Sequence, residues 1–381
     1  MAKLKSSAKK KKKSVLNRIT EFFAKLNCHA YLVGGYVRDL TMGRRHIDID
    51  VVVEGDATKA ARGLNLELKG KLCIHKEFGT ASITTNNERI DLASARVEKY
   101  QSPGELPHVY PSTITEDLNR RDFTINAIAM SISKENFGEI SDPFNGLQDI
   151  KEGLIRVLHK NSFIDDPTRI FRCLRYKNRF GFKIEPETKL LIREAVAKDM
   201  INRLTGQRIL NELFLIFAEP SYQSTIEDIS KFLIFEINQK DLELLPFLGS
   251  QRIYYYLSKL NTNKFPLKKE ERKLIHDFGK TEDTITKLNR TSRNSTIYQI
   301  LSPISDQVVV LIPSICPELK NKIDTYARLK NVKPFVKGND LKNAGFRPSS
   351  HFKKLLRKAF YLQLDKKITN KREALKLLKN K

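Results

Sequence analysis

The sequence predicts an α+β head built on a mixed sheet, followed by segments that are helical throughout. Two patterns predict it. Between residues 30 and 132, short runs rich in Val, Ile and Thr alternate with short helical patterns, as expected where strands and helices share one core. From Asn145 onward apolar residues recur at helical spacing, with amphipathic runs near 166–180, 186–198 and 205–218 and weaker ones to Lys381.

Taken in order, MAKLKSSAKKKKK has no apolar h-region and no arginine, so it resembles neither a secretory signal nor a transit peptide. It reads as a disordered basic arm over residues 1–14, either a non-specific attractor of RNA or a solvated tail. Residues 14–27 have helical periodicity. Strands are predicted at Ala30 to Val33, Ile47 to Val53, Lys71 to His75, Thr80 to Thr85 and Arg89 to Ala95, a mixed sheet of about five strands. The segment YQSPGELPHVYP, residues 100–111, carries prolines at 103, 107 and 111, which argues for an ordered or hinged loop and against a strand. No internal repeat is present, and the arm is the one low-complexity stretch.

The chain has 381 residues, 40% of them hydrophobic, enough for two or three domains with real cores. Against 44 Asp and Glu stand 69 Lys and Arg, a formal charge of +25 that runs through the chain. Polyanions are the expected partners, with nucleic acid ahead of a membrane because no long apolar span or strongly amphipathic basic helix is evident. No stable protein partner can be inferred. The four cysteines (Cys28, Cys73, Cys173, Cys316) are widely spaced, which suggests neither disulfides nor zinc and fits a reducing, cytoplasmic location.

Chemistry concentrates in three clusters. In LVGGYVRDLTMGRRHIDID, Asp48 and Asp50 sit two apart on a strand and leave from one face, where two hard oxygen donors can hold one or two Mg²⁺ ions that also bind substrate phosphates. An isolated Asp-x-Asp is common. Here it follows a strand, the glycines Gly34 and Gly35, and a helix with Arg38, a junction whose backbone N–H groups can approach phosphate closely. Asp39 is the bland case, an acid that complements the helix dipole.

The second cluster, EDLNRRDFTINAIAM, places Arg120, Arg121 and Asp122 before an apolar helical turn, with Asn126 four residues on. Arg121 can clamp a triphosphate and Asp122 can accept a ribose hydroxyl. Equally, Asp122 can cap the following helix while one arginine pairs with Glu116 or Asp117. The third, SFIDDPTRIFRCLRYKNRFGF, sets Asp166 before a helix that carries Arg169, Arg172 and Arg175 on one face. Three arginines in a stripe repel each other, so they splay into solvent or have an anion and a base laid across them. Asp166 with Arg169 offers an acceptor beside a donor, the complement of cytosine and adenine, which present an amino donor next to a ring acceptor. Guanine and uracil place a carbonyl against the carboxylate and are rejected.

The motifs GGYVRD, DID, RRDFTINA, DPFNGLQDI and DDPTRIFRCLR, in this order over residues 30–215, resemble those of the class II tRNA nucleotidyltransferases, the CCA-adding enzymes and bacterial poly(A) polymerases. A weaker similarity, KGNDLKNAGFRPSSHFKKLL, follows near 337–356. The resemblance implies a polymerase-β-like nucleotidyltransferase head (15–140), then a helical neck that reads the base (141–218), a helical body (219–330) and a helical tail that binds tRNA (331–381). It implies Asp48 and Asp50 as catalytic metal carboxylates, Gly35 and Arg38 as the triphosphate pair, and Arg121 as the arginine of the third motif region. Asp166, Arg169, Arg172 and Arg175 match the nucleotide-contacting helix. The family's Glu-Asp pair at that helix start is Asp165-Asp166 here. Asp91 is either a third acid near the metals or a solvated strand residue.

The implied reaction is attack of the 3′-hydroxyl at the tRNA acceptor end on the α-phosphorus of CTP or ATP, with two Mg²⁺ ions and release of pyrophosphate. Full CCA addition is the first expectation. The segment between the first motifs is full-length, which disfavours CC-only addition. Its likeness to A-adding members keeps A-only addition as the alternative, ahead of poly(A) synthesis. A non-catalytic RNA-binding protein on the same scaffold is disfavoured because every motif acid is present. His276-Asp277 is similar to the pair of metal phosphohydrolases but lacks the supporting residues, and reads as an ordinary helix feature.

Overall fold

The computed structural model describes residues 14–379 apart from 27, 45–47, 86–87, 100, 103, 106 and 348–349. The basic arm before Ser14, Ile47 at the expected strand start, and Tyr100 and Pro103 of the expected loop lie outside the described residues. The chain forms two compact units, up to Ile234 and from Phe235.

In the first unit, Ser14 caps helix α1 (Val15–Lys25) by accepting the Asn17 N–H, and Ile19 and Phe23, four apart, face the core. The chain continues through β1 (Ala30–Val33), α2 (Gly35–Thr41), β2 (Asp48–Val53), α3 (Ala57–Leu68), β3 (Lys71–His75), β4 (Thr80–Thr84) and β5 (Arg89–Ser94). Then come β6 (Arg96–Lys99), β7 (His108–Pro111), α4 (Ile114–Asn119), β8 (Ala129–Ser131) and β9 (Ile140–Ser141). The helical part holds α5 (Gly146–Glu152), β10 (Leu154–Ile155), α6 (Ser162–Asp165), α7 (Thr168–Phe180), β11 (Lys183–Ile184), α8 (Pro186–Ala197), α9 (Gly206–Ala218) and α10 (Tyr222–Lys231).

The main sheet has seven strands in the order β3-β4-β5-β2-β1-β8-β9 and is mixed because β2 and β5 run parallel while the other pairs are antiparallel. The two strands beyond the expected five are only three and two residues long. An apolar helical turn was expected directly after Asp122. Instead the turn closes after one 3-10 segment, Thr124–Asn126, and the chain joins β1. Ile128 and Ile132 then enter one core while Ala127 and Ala129 enter the other, an alternation that pays off only in a sheet.

The segment expected as a loop up to Pro111 contains half of a hairpin, β6 with β7, which pair as a two-stranded sheet of their own. Pro107 precedes β7 and Pro111 ends it, at the margins of a two-stranded ribbon where a missing N–H is tolerated.

One face of the sheet is closed by α1 and α3 over Leu32, Ile49, Val51, Ile83 and Ile90. On the other face, Tyr31, Val33 and Val52 pack with Ile114 and Leu118 of α4. Asp48 and Asp50 share that second face with Val52 by alternation, near the end of β2 that α4 does not cover.

DPFNGLQDI folds as a bracket. Asp142 accepts the Gly146 and Leu147 N–H groups at the start of α5, and buried Asp149 accepts the Thr124 hydroxyl at 2.6 Å. A Cβ on Gly146 would lie 2.2 Å from the Thr124 carbonyl oxygen. Gly146→Ala is therefore expected to destabilise the first unit by roughly 3 kcal/mol, read by urea unfolding.

The helix α10 belongs with the neck: Asp228 takes Lys177 at 2.5 Å and Asn178 at 2.7 Å, both from α7. The second unit is helical, from Gln239–Leu244 to Lys371–Lys379, around one core with Leu288, Leu301, Ile312 and Leu319 and another with Leu341, Ala359 and Ala374. There Asp277 accepts from Lys273 and from the Ser305 N–H and hydroxyl, an ordinary helix-to-helix tie. Among the described residues no single helix is long and apolar enough to cross a membrane.

Candidate nucleotidyl-transfer site

A cleft of about 530 Å³ in the first unit is lined by Gly34, Gly35, Arg38, Asp48, Asp50, Asp91, Arg121, Asp122, Asn126, Asp166, Arg169 and Arg172. Twelve of the thirteen residues singled out in the sequence thus converge. Arg175 does not line it. It is buried beside the cleft, against Glu212 at 3.7 Å and Glu219 at 3.5 Å.

Asp48 and Asp50 leave β2 on one face, and Asp91 lies beside Asp50 in register on β5. Among the described residues no three acidic, His or Cys side chains are grouped closely enough to enclose a metal ion. The donor set still fits Mg²⁺, which dehydrates reluctantly and is commonly held by one or two carboxylates together with substrate phosphates. Asp91 is already engaged, accepting from Arg89 Nε at 3.1 Å and from the Ser82 hydroxyl.

Gly34 has φ +63, and a Cβ there would stand 2.6 Å from Arg121 Nη1, so glycine lets the arginine pass across the start of α2. Arg38 is buried. Nη1 donates to Asn126 Oδ1 at 2.5 Å, Asp39 pairs with the guanidinium at 2.7 Å, and the rings of Phe180 and Tyr176 lie 4.6 and 5.5 Å away. Asp39 is thus a buried ion-pair partner in mid-helix, correcting its expected dipole role.

Behind this, Asp117, fully buried, takes both Arg120 at 2.7 Å and Arg121 at 3.0 Å. Its burial pushes the carboxyl up, but the two guanidinium charges outweigh it and hold the pKa below the usual carboxylate range. Both arginines pair, where the sequence suggested one. Asp122 caps no helix in the ordinary way. Its Oδ1 accepts the Phe123 N–H and Asn126 Nδ2, both at 2.9 Å, and its Oδ2 accepts Arg172 Nε at 2.8 Å. Burial again pushes its carboxyl up, and Arg172 and Asn126 hold the pKa down to about 2.

At the start of α7, Asp166 Oδ1 accepts the Thr168 N–H at 2.9 Å and hydroxyl at 2.5 Å, and Arg208 Nη2 at 2.7 Å. Among the described residues its Oδ2 has no hydrogen bond, so one acceptor stays available. Arg169 donates to the Ser162 hydroxyl and the Arg120 carbonyl, both at 2.7 Å, each terminal nitrogen keeping a second hydrogen. The arginine stripe is neither splayed nor left for an anion alone: Glu212 on α9 faces Arg172 and Arg175 and lines the cleft. Burial pushes the Glu212 carboxyl up despite those charges. Sequence reasoning missed Glu212, Glu219 and Arg208. Glu212 on an apolar helix and Glu219 just past its end, two acids seven apart, were the signal available.

The family model for the poly A polymerase head domain matches residues 30–156, and that for the probable RNA and SrmB-binding site of polymerase A matches residues 181–245. The chain is 30% identical to the A-adding tRNA nucleotidyltransferase of Halalkalibacterium halodurans over 95% of this chain and 90% of that one. It is 34% identical to the A-adding tRNA nucleotidyltransferase of Aquifex aeolicus over 84% of this chain but 43% of that one, so it spans less than half of that longer relative. In three dimensions it resembles the Thermotoga maritima CCA-adding enzyme complexed with tRNA, with a TM-score of 0.70 and 28% identity over 98% of this chain and 96% of that one. Matched by the A-adding relative of Halalkalibacterium halodurans over 95% of its length and by the head-domain model over residues 30–156, the chain belongs to the tRNA nucleotidyltransferase and poly(A) polymerase family.

Proposed function

We propose that this protein adds nucleotides without a template to the 3′ end of tRNA, using CTP and ATP to build CCA and releasing pyrophosphate. The observation that carries the reading is the single cleft in which the β2 carboxylates, the Gly34-Gly35 turn and the Asp166–Arg169 pair face one substrate-sized space.

The triphosphate would lie over the start of α2, against the backbone of Gly34 and Gly35 and the side chain of Arg121. Asp122 orients Arg172 and Asn126 at the cleft wall, where it would face the ribose. Asp166 Oδ2 accepts the exocyclic amino group of cytosine or adenine, while Arg169 donates to the neighbouring ring nitrogen. Asp48 and Asp50 would hold Mg²⁺, most simply two ions. The metal supplies Lewis-acid stabilisation of the α-phosphoryl charge and makes the attacking hydroxyl more acidic. Residues 15–140 serve as the catalytic head and 141–234, α10 included, as the base-reading neck, while the body (235–330) and tail (331–381) grip tRNA, largely through phosphates and duplex shape.

A-only addition is the second reading, favoured by the A-adding relative that matches 95% of the chain. Incorporation of labelled CTP and ATP into tRNA transcripts ending at the discriminator base, at C or at CC decides between them. Extension of all three to CCA is the expected result. Extension of the CC-ended transcript alone, and only with ATP, establishes the A-adding reading, and no incorporation with Mg²⁺ overturns both.

A further inference from the structure

In-line displacement at phosphorus places the attacking oxygen opposite the leaving pyrophosphate. The Gly34-Gly35 turn follows β1, and the sheet order β5-β2-β1 puts β5 on the other side of the β2 carboxylates. The 3′-hydroxyl of the primer strand must therefore arrive over β5 and the strands beyond it.

On this open face the register aligns Asp48 with Arg89 of β5, and Arg89 with Thr84 of β4, which in turn aligns with Lys71 of β3. Their inward neighbours Ile90 and Ile83 fill the core on the opposite face. Arg89 has 58% of its side chain exposed, yet it is held: Asp91 pairs with it at 2.9 Å, and its Nη2 lies 3.5 Å from the Ser82 hydroxyl. Asp91 balances the Arg89 charge beside the β2 carboxylates, and the exposed part of the Arg89 side chain is left to meet a strand of phosphodiesters approaching the acids.

We propose that Arg89, held by Asp91 and Ser82, binds the phosphodiester next to the primer's terminal hydroxyl, and that Lys71 continues the same cationic row outward. This rests on the nucleotidyltransferase reading above. It assigns Asp91 the task of holding Arg89.

The test is fluorescence anisotropy of a labelled CC-ended tRNA transcript at several KCl concentrations, alongside KM for transcript and for ATP. Arg89→Ala is expected to weaken transcript binding about tenfold and to reduce the slope of log affinity against log salt by about 0.7–1, as for loss of one phosphate contact. KM for ATP and Mn²⁺ binding, measured by electron paramagnetic resonance with nucleotide and no transcript, should stay within about twofold. Arg89→Lys should recover most of the affinity, and its thermal unfolding serves as the control for folding. Lys71→Ala should lower the slope again, independently. Unchanged transcript affinity, or a raised KM for ATP with transcript affinity intact, would overturn the assignment while leaving the enzyme reading standing. A wild-type protein that neither binds nor extends the transcript would overturn both.

Discussion

Asp50→Asn is expected to lower the rate of nucleotide incorporation by about 10³-fold or more while changing tRNA affinity less than about twofold. The asymmetry follows from the geometry. Asp48 and Asp50 share one face of β2, and among the described residues no third group completes a metal cage around them. Replacing one of two anionic donors with a neutral amide removes the charge that balances a divalent ion, and the neighbouring Asp91 is already held by Arg89 and Ser82. Asp48→Asn should behave alike. The proposed tRNA binding, by contrast, would draw on many basic side chains spread over a chain of charge +25, none of which is touched. A rate within tenfold of wild type in both variants would place the chemistry elsewhere.

The second large effect is structural and depends on pH. Asp122→Ala should destabilise the first unit by about 3 kcal/mol at neutral pH, because it strands Arg172 and removes the acceptor of Asn126 and the Phe123 N–H. Arg172 keeps 32% of its side chain exposed, which holds the figure at the lower end for a broken buried pair. The folded carboxyl titrates at about 2, well below an unfolded aspartate at about 3.9. The stability it contributes, about 2 kcal/mol, is fully present above pH ~4 and is lost as the pH falls through about 2. Urea unfolding from pH 2 to 7 should show the wild type losing stability across that window and the variant losing less. A difference between them that stays constant down to pH 2 would mean that Asp122 is not the group responsible.

Legibility differed between local and distant causes. Ile49, Val51 and Val53 announce β2 because alternation toward a core is a property of neighbouring residues. Helix α7 is equally plain, with its Pro167 start and Gly181 end. The strands β8 and β9 were not legible: the Ala, Met and Ser of β8 have little strand preference and join the sheet because β1 is there to pair with, and β9, two residues long, joins because β8 is. The hairpin β6–β7 was hidden by prolines that discourage strands in general but fit a ribbon of two.

In the cleft, the side chains that converge were visible as motifs, and their present partners were not. Arg38, implied by the resemblance as a triphosphate residue, lines the cleft and is held there by Asp39 and Asn126 beside Phe180. The arginine stripe of α7 is balanced by acids on α9, and Asp166 is held by Arg208, forty-two residues away. Only the folded chain brings those charges together.

The most direct test of the cleft's proposed chemistry is a competition among the four nucleoside triphosphates, each labelled at the α-phosphate, for extension of a tRNA transcript by the wild-type protein. The expected result is incorporation of AMP, or of CMP and AMP in order, with UMP and GMP excluded by about 10⁴-fold, because a carbonyl set against the Asp166 carboxylate leaves two acceptors facing each other. Comparable incorporation of all four would contradict base reading by Asp166 and Arg169, and with it the proposal that one cleft both selects the nucleotide and transfers it.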